Sequence, residues 1–566
     1  MENLKRLTVP HPALSISLFL TLFCNTALWR ELFKIKGGIS VETLWFYTPF
    51  FLALTLLLIL FFTLFRLKYL FKAILILFLF AAAAIDFFMV SYGVVIDKSM
   101  LQNALETNPQ EVAELFNWQM LWHLIVLGGI PAIFIARTQI PYKPFMQQLF
   151  SNFTTLIVCA LLAAALGYFF YGDYTSIYRN NRQLRYLINP VNLVDSSISN
   201  LKHKLKGQHA LIPLGTDATL AANPNKSGKK NLTVLVLGET ARAANFALDG
   251  YSRPTDPYLS QQKVLSFTNV HSCGTATAAS VPCMFSNLGQ DHYDPSKAQY
   301  TENVLDVLSH AGVKVLWRNN NDGCKGVCKR VASEDLSHLK LANLCNADEC
   351  YDEALLYQLQ AYVDKLASPG LIVLHQKGSH GPGYNLRHPP HFKVFKPECE
   401  QANLNDCSRQ EVINAYDNTI AYTDYFLAKV VEFLKKNSAK YDTAMLYVSD
   451  HGESLGENNV YLHGLPYFIA PDEQKHVPLI AWFSSGFIRH HQIDSECLRQ
   501  HKDNHYSHDN LFHSLLGLMN VHTQVYNAKL DIFAACRAQV AEQRETTKTL
   551  SKSLSVNNQS LFPSPV

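Results

Sequence analysis

Charge of either sign is scarce in this chain. Its 49 lysines and arginines nearly cancel 46 aspartates and glutamates over 566 residues, a net charge of +3, so no electrostatic footprint of a nucleic-acid partner is present. Cysteine is almost missing from the first half: of 12, only Cys24 and Cys159 precede residue 270. No repeated CxxC pair occurs, which argues against a zinc ribbon, and there is no internal repeat. Up to about residue 172 long apolar runs dominate, and the mixed composition of a globular domain follows. The chain is too long for one ordinary domain and reads as a membrane protein with a large soluble part.

Five stretches reach the ~20 apolar residues that a membrane-spanning helix needs: near 12–33, 43–65, 70–91, 119–137 and 151–171. The first lacks a small-residue cleavage site and four more spans follow, so it reads as an anchor rather than a signal peptide. Short-loop lysines and arginines favour the cytoplasm. Lys5 and Arg6, then Arg66, Lys68 and Lys72, then Arg137 and Lys143 share one side if the N-terminus is inside, against the weaker pull of Lys34 and Lys36. Everything after 172 then lies outside. The ten cysteines beyond residue 270 agree, because an even number confined to an external domain reads as disulfides. Neighbour pairing is expected: Cys273 with Cys283, Cys324 with Cys328, Cys345 with Cys350, Cys399 with Cys407, and Cys497 with Cys536.

The expected organisation is a transmembrane domain over 1–172, a bridging helix and linker over 173–230, an external domain over 231–540 and a disordered tail over 541–566. In the external loop at 92–118, Asn103, Thr107 and Glu111 recur every four residues and share one face if helical. By spacing alone they are a solvated stripe. From residue 231, "LTVLVLGE", "GVKVLWRNN", "GLIVLHQKGSHG", "TAMLYVSDHGES" and "VPLIAWFS" read as buried strands alternating with helices, hence an α/β domain with a mainly parallel sheet. Such sheets bind ligands beyond the carboxyl ends of their strands.

Glu239 ends the first of these strands, and Asp450 with His451 end a later one; His380 follows another, and His463 arrives in "YLHG". Singly, each histidine is more often structural. Jointly, two carboxylates and up to three imidazoles at one sheet edge make a plausible zinc site. The stretch "SCGTATAASVPC" then acquires a purpose beyond a serine and threonine turn. Coordination to a metal lowers the pKa of a threonine hydroxyl, small neighbours leave room for a bulky substrate, and a helix opening here would favour an anionic phosphate. These considerations leave Thr275 and Thr277 both open as the nucleophile.

The segments "VLGETARAANFALDGYSRPTDP", "SCGTATAASVPCMFS", "GSHGP" and "SDHGESLGENNVYLHG" resemble the inner-membrane phosphoethanolamine transferases of Gram-negative bacteria, which include lipid A modifying enzymes of polymyxin resistance. The resemblance runs over nearly the whole chain. It implies a five-helix transmembrane domain joined to a periplasmic α/β domain of alkaline-phosphatase and sulfatase type. It implies Thr277 as nucleophile, and zinc on Glu239, Thr277, Asp450 and His451. His380 and His463 would hold the phosphoryl group, assist proton transfer or bind a second zinc. "WRNNNDGCKGVC" resembles the segment whose Asn and Lys contact the donor head group, giving Asn321 and Lys325, and the Asn103, Thr107, Glu111 stripe matches positions that engage the lipid donor, which reverses the reading from spacing alone.

The implied reaction moves phosphoethanolamine from phosphatidylethanolamine to Thr277 and on to a phosphate of lipid A, within the inner membrane and with a monomer sufficient. Relatives of this kind also modify core sugars such as Kdo or heptose, or proteins. A sulfatase needs a C-x-P-x-R motif, absent near Thr277. A phosphoglycerol transferase shares the five spans and the threonine, and a non-catalytic lipid-binding protein has no use for a metal-activated hydroxyl.

Overall fold

The structure is a computed structural model that describes residues 11–106, 109–171, 174, 177, 181–205, 210–221, 228–341, 343–346, 349–401 and 403–537. The tail expected over 541–566 lies outside them, as does part of the bridge over 173–230. The chain divides into two compact units: Met1–Leu105, Val112–Lys206 and Glu457–Tyr461 form one, and Glu106–Glu111, Gly207–Gly456 and Leu462–Val566 the other.

The first unit is helical. Helices α1 (Pro12–Phe23) and α2 (Thr26–Lys36) meet at a bend of 56°, followed by α3 (Val41–Leu64), α4 (Phe71–Tyr92), α5 (Trp118–Arg137) and α6 (Phe145–Phe169). Four helices are each long and apolar enough to cross a membrane, and the bent pair together makes up to five. The single span read over 12–33 is therefore broken, and polar side chains explain how. Asn25 Nδ2 donates to the carbonyls of Leu20 and Asn189, both at 2.9 Å, and the Asn189 amide donates back to Asn25 Oδ1 at 2.9 Å. Asn189 Nδ2 donates to Cys24 and Ala82 carbonyls at 2.9 and 2.7 Å. The Thr26 amide, first of α2, donates to Asp86 Oδ1 on α4 at 3.0 Å. Backbone groups freed at the bend thus find protein partners, the condition for irregular backbone at membrane depth. Asp86 Oδ2 lies 3.2 Å from His123 Nε2 on α5.

Short helices Lys98–Glu106 and Pro109–Leu115 follow α4. Asn103 lies half-buried in the first; Thr107 is outside the described residues, and Glu111 falls in the second with its side chain outside them. Proline at the first position of the second suits a helix start.

The second unit is built on a seven-stranded sheet: β1 (Lys230–Gly238), β2 (Leu265–Phe267), β3 (Lys314–Asn319), β4 (Ala332–Asp335), β5 (Gly370–His375), β6 (Tyr441–Ser449) and β7 (Leu479–Phe483). Their order is β2-β7-β6-β1-β5-β3-β4. Pairings from β6 through β1, β5 and β3 to β4 are parallel. β7, read from "VPLIAWFS", runs antiparallel to both β6 and β2, so the sheet is mixed. β5 and β6 are buried throughout, which accounts for their continuous apolar runs, and each buried leucine or valine contributes ~1.5–3 kcal/mol. The helix Arg409–Asn437, opened by a Ser408/Glu411 capping box, packs along β6. All five neighbour disulfides form, and the free cysteines are Cys24 and Cys159.

Candidate active site

Sheet register decides what meets at the carboxyl edge. β1 and β6 are parallel neighbours with Gly238 opposite Ser449, so the next residues of each, Glu239 and Asp450, leave the sheet side by side. On the other flank of β1, Leu237 stands opposite His375, and Asn319 of β3 is the following neighbour of His375. Gly378 closes this edge with φ of +56°; a Cβ there would lie 2.6 Å from the Glu239 carbonyl oxygen, so glycine is required.

Glu239, Asp450 and His451 are fully buried and bring one ligand atom each within 4.8 Å of one another. Helix α7 (Thr277–Met284) begins at Thr277, whose hydroxyl donates to Glu239 Oε1 at 2.9 Å and lies 3.3 Å from His451 Nε2. Thr275, the alternative nucleophile, spends its hydroxyl on the Leu465 carbonyl at 2.5 Å. Thr277, not Thr275, is thus the threonine whose hydroxyl faces the carboxylate and imidazole cluster.

The donor set fits a divalent cation. His451 Nδ1 donates to the Gly452 carbonyl at 2.9 Å, which fixes the tautomer and leaves Nε2 directed at Thr277, at Glu239 Oε1 (3.4 Å) and at Asp450 Oδ2 (3.5 Å). This is how ligating histidines are oriented. Asp450 Oδ2 is buried without a hydrogen-bond partner, whereas Oδ1 accepts from the amides of Thr240 and His451 at 3.1 and 2.8 Å. Burial, then the adjacent Glu239 charge, raises the Asp450 pKa to about 7. Burial also opposes ionisation of Glu239, but the hydrogen bond and charge of His451, with His380 and His375, hold it well below the usual carboxylate range. Against its own burial, His451 is raised to about 10 by Asp450 and Glu239. Two carboxylates in a dry site draw positive charge to themselves.

His380 and His463 complete a row of imidazoles, with ring centroids 5.4 Å apart and His463 4.4 Å from His451. Burial, then His451, lowers His463 to about 3, and burial lowers His380 well below its ordinary value. Asn321, predicted to contact a head group, donates to Glu239 Oε2 at 2.6 Å and to the Gln376 carbonyl at 2.9 Å. Lys325 is half-buried in the loop after β3, and its charge reaches His375, which burial lowers to about 4.

Several site residues escape the sequence reading. Thr240, a β-branched residue with φ of +59°, donates its hydroxyl to Glu239 Oε1 at 2.8 Å and its amide to Asp450; such a residue is held left-handed only where its surroundings over-determine it. Glu453 faces His463 Nδ1 at 2.8 Å and accepts from Tyr384 at 2.5 Å, with burial raising its pKa to about 8. His375 lies 2.9 Å from Asn319 Oδ1. Their only signal was a place at or just past a strand end.

Residues 231–521 match the sulfatase family, and 54–205 match the family described as phosphoethanolamine transferase EptA/EptB. The chain is 43% identical over 463 residues to phosphoethanolamine transferase EptA of Escherichia coli K12, covering 81% of this chain and 85% of that one. It is 40% identical over 472 residues to phosphatidylethanolamine transferase Mcr-2 of Escherichia coli, 80% of this chain and 85% of that one. Among solved structures, the integral membrane protein lipooligosaccharide phosphoethanolamine transferase A (EptA) of Neisseria meningitidis superposes with a TM-score of 0.90 at 36% identity, covering 94% of this chain and 99% of that one. Membrane helices, a sulfatase-like unit and a threonine set against a cation-fitting cluster all agree with this similarity, and the chain belongs to the EptA family of phosphoethanolamine transferases.

Proposed function

We propose that this chain transfers phosphoethanolamine from phosphatidylethanolamine to a phosphate of lipid A, through a covalent intermediate on Thr277. The observation that carries the reading is the Thr277 hydroxyl held 2.9 Å from Glu239 and 3.3 Å from His451 at the strand ends. The donor is supported by the name of Mcr-2, a phosphatidylethanolamine transferase, and the acceptor class by that of the Neisseria protein, a lipooligosaccharide phosphoethanolamine transferase.

Glu239, Thr277, Asp450 and His451 would hold one Zn²⁺, with His380 and His463 available to a second. Bound zinc supplies Lewis-acid polarisation of the phosphate and a lower pKa for the threonine hydroxyl. In the first half-reaction the Thr277 Oγ–phosphorus bond forms as the bond from phosphorus to the diacylglycerol oxygen breaks. Glu239 Oε1 is in place to take the hydroxyl proton. His380 and His463, neutral imidazoles, stabilise phosphoryl charge and relay the proton taken up by Glu239 to the leaving diacylglycerol oxygen, and Glu453 orients His463 through Nδ1. In the second half-reaction a lipid A phosphate oxygen attacks, the bond from phosphorus to Thr277 breaks, and Thr277 Oγ is reprotonated. Asn321 and Lys325 contribute to head-group binding, and phosphoryl transfer depends mainly on such positioning and electrostatics.

The topology proposed is five spans in the inner membrane, counting the bent pair as one, with the N-terminus cytoplasmic and the domain over 231–540 in the periplasm. Asn103, Thr107 and Glu111 would meet the donor lipid, and a monomer suffices. The test is mass spectrometry of intact lipid A from cells expressing the parent or Thr277→Ala. A phosphoethanolamine increment present with the parent and lost in the variant is the expected result. Unmodified lipid A beside a phosphoethanolamine-labelled Thr277 overturns the acceptor and points to Kdo, heptose or protein.

A further inference from the structure

Behind the nucleophile lies a buried imidazole that none of these roles uses. His508 immediately precedes the helix Asp509–Leu518 and is buried. Its two ring nitrogens meet backbone groups of two other elements: the Cys273 amide donates to Nδ1 at 3.0 Å, and Nε2 donates to the Ser449 carbonyl at 2.9 Å. An amide N–H can only donate and a carbonyl can only accept, so these contacts fix the ring as the uncharged Nε2–H tautomer.

The two partners are placed where they matter. Cys273 opens the disulfide-closed loop that delivers Thr277, and Ser449 ends β6 and is followed directly by Asp450 and then His451. Ser280, on the first turn of α7, joins the same bracket: its hydroxyl donates to the Asp450 carbonyl at 2.5 Å and lies 3.2 Å from His508 Nδ1. His508 is itself anchored, because its amide donates to the His271 carbonyl at 3.0 Å where the short strands Val270–His271 and Tyr506–Ser507 pair in parallel. Burial lowers the His508 pKa to about 3, in keeping with a ring that never carries charge at working pH.

We infer that His508 is a positioning residue of the transfer reaction: a neutral imidazole spacer that clamps the nucleophile loop to the end of β6 and so sets the reach from Thr277 to Glu239 and His451. The inference rests on Thr277 being the nucleophile proposed above. A rigid planar ring bridging two backbone groups holds a fixed separation that a water or a flexible side chain does not, and displacement of a reacting group by about 1 Å costs on the order of 10²-fold in rate.

The test is single-turnover formation of the phosphoethanolamine–Thr277 adduct from a fluorescent phosphatidylethanolamine by the detergent-solubilised full chain. His508→Ala is expected to keep its zinc content, donor KM and burst amplitude while the rate constant falls about 10²-fold. Imidazole, which offers one donor and one acceptor, restores the rate; 1-methylimidazole, which lacks the N–H, does not. A lower amplitude with an unchanged rate constant marks a scaffold role and overturns the inference, as does a parental rate. Should His508→Ala fail to fold, His508→Gln carries the test. Its amide offers both polar functions at a different separation, so a full burst with a slowed rate constant supports the clamp, and parental kinetics overturn it. A parent with no burst sinks the Thr277 reading as well, whereas a parental burst with an indifferent variant sinks only the clamp.

Discussion

Each unit buries a polar cluster, and the two are built for opposite ends. In the helical unit, Asn25, Asn189 and Asp86 answer the Leu20, Cys24 and Ala82 carbonyls and the Thr26 amide around a broken helix. In the sheet unit, Glu239, Asp450 and His451 crowd together with one carboxylate oxygen lacking a hydrogen-bond partner and pKa values pushed far from their ordinary positions. Burial is common to both. Asp86 Oδ2, beside His123, also lacks a hydrogen-bond partner, so the difference is what most of the groups face: two amides and Asp86 Oδ1 matched to backbone groups hold a shape, while two carboxylates and an imidazole matched to one another leave a charge imbalance that chemistry can use.

The largest expected effect tests the reactive cluster. Asp450→Asn removes one carboxylate charge and should reduce both bound zinc, counted by elemental analysis, and adduct formation by ~10²–10³-fold; unchanged zinc would dissolve the contrast. Thr240→Ala deletes the hydroxyl on Glu239 and should weaken zinc about 10-fold or more in a chelator competition, with Thr240→Ser close to the parent. Asn189→Leu should do the reverse. It leaves the Cys24 and Ala82 carbonyls without their donor, costing ~1–3 kcal/mol and lowering the melting temperature in detergent, with zinc stoichiometry intact.

The smallest effect sharpens the comparison with a buried carboxyl outside both clusters. Burial raises Asp256 from 3.8 to about 8, so the stability it contributes is complete below about pH 4 and is lost as pH rises through 8. Asparagine cannot ionise. Asp256→Asn should therefore melt level with the parent at pH 4 and at least ~2 °C higher at pH 9.

The chemistry of the site was legible where one short stretch carries it: Glu239 at a strand end, Asp450 beside His451, a threonine inside a cysteine pair. Its assembly was not, because the Gly238–Ser449 register that makes Glu239 and Asp450 neighbours joins positions far apart in the chain. The same limit hid the broken helix, since Asn25 finds its partner 164 residues away. It also hid His508, whose partners lie 235 and 59 residues off. Thr275 and Thr277 were inseparable by composition, and only their contacts differ: one hydroxyl meets the Leu465 carbonyl and the other meets Glu239 and His451. The antiparallel β7 carries the same kind of apolar run as the parallel strands β1, β5 and β6, so direction had no signature there.

The disulfides bear on how the molecule comes to be. Their cysteines stand 10, 4, 5, 8 and 39 positions apart, each bonded to the next in line. A chain emerging from its N-terminus can therefore oxidise its thiols in order of arrival, every cysteine meeting its proper mate before a later competitor appears. Correct pairing is written into the order of synthesis, and the loop around Thr277 is sealed first.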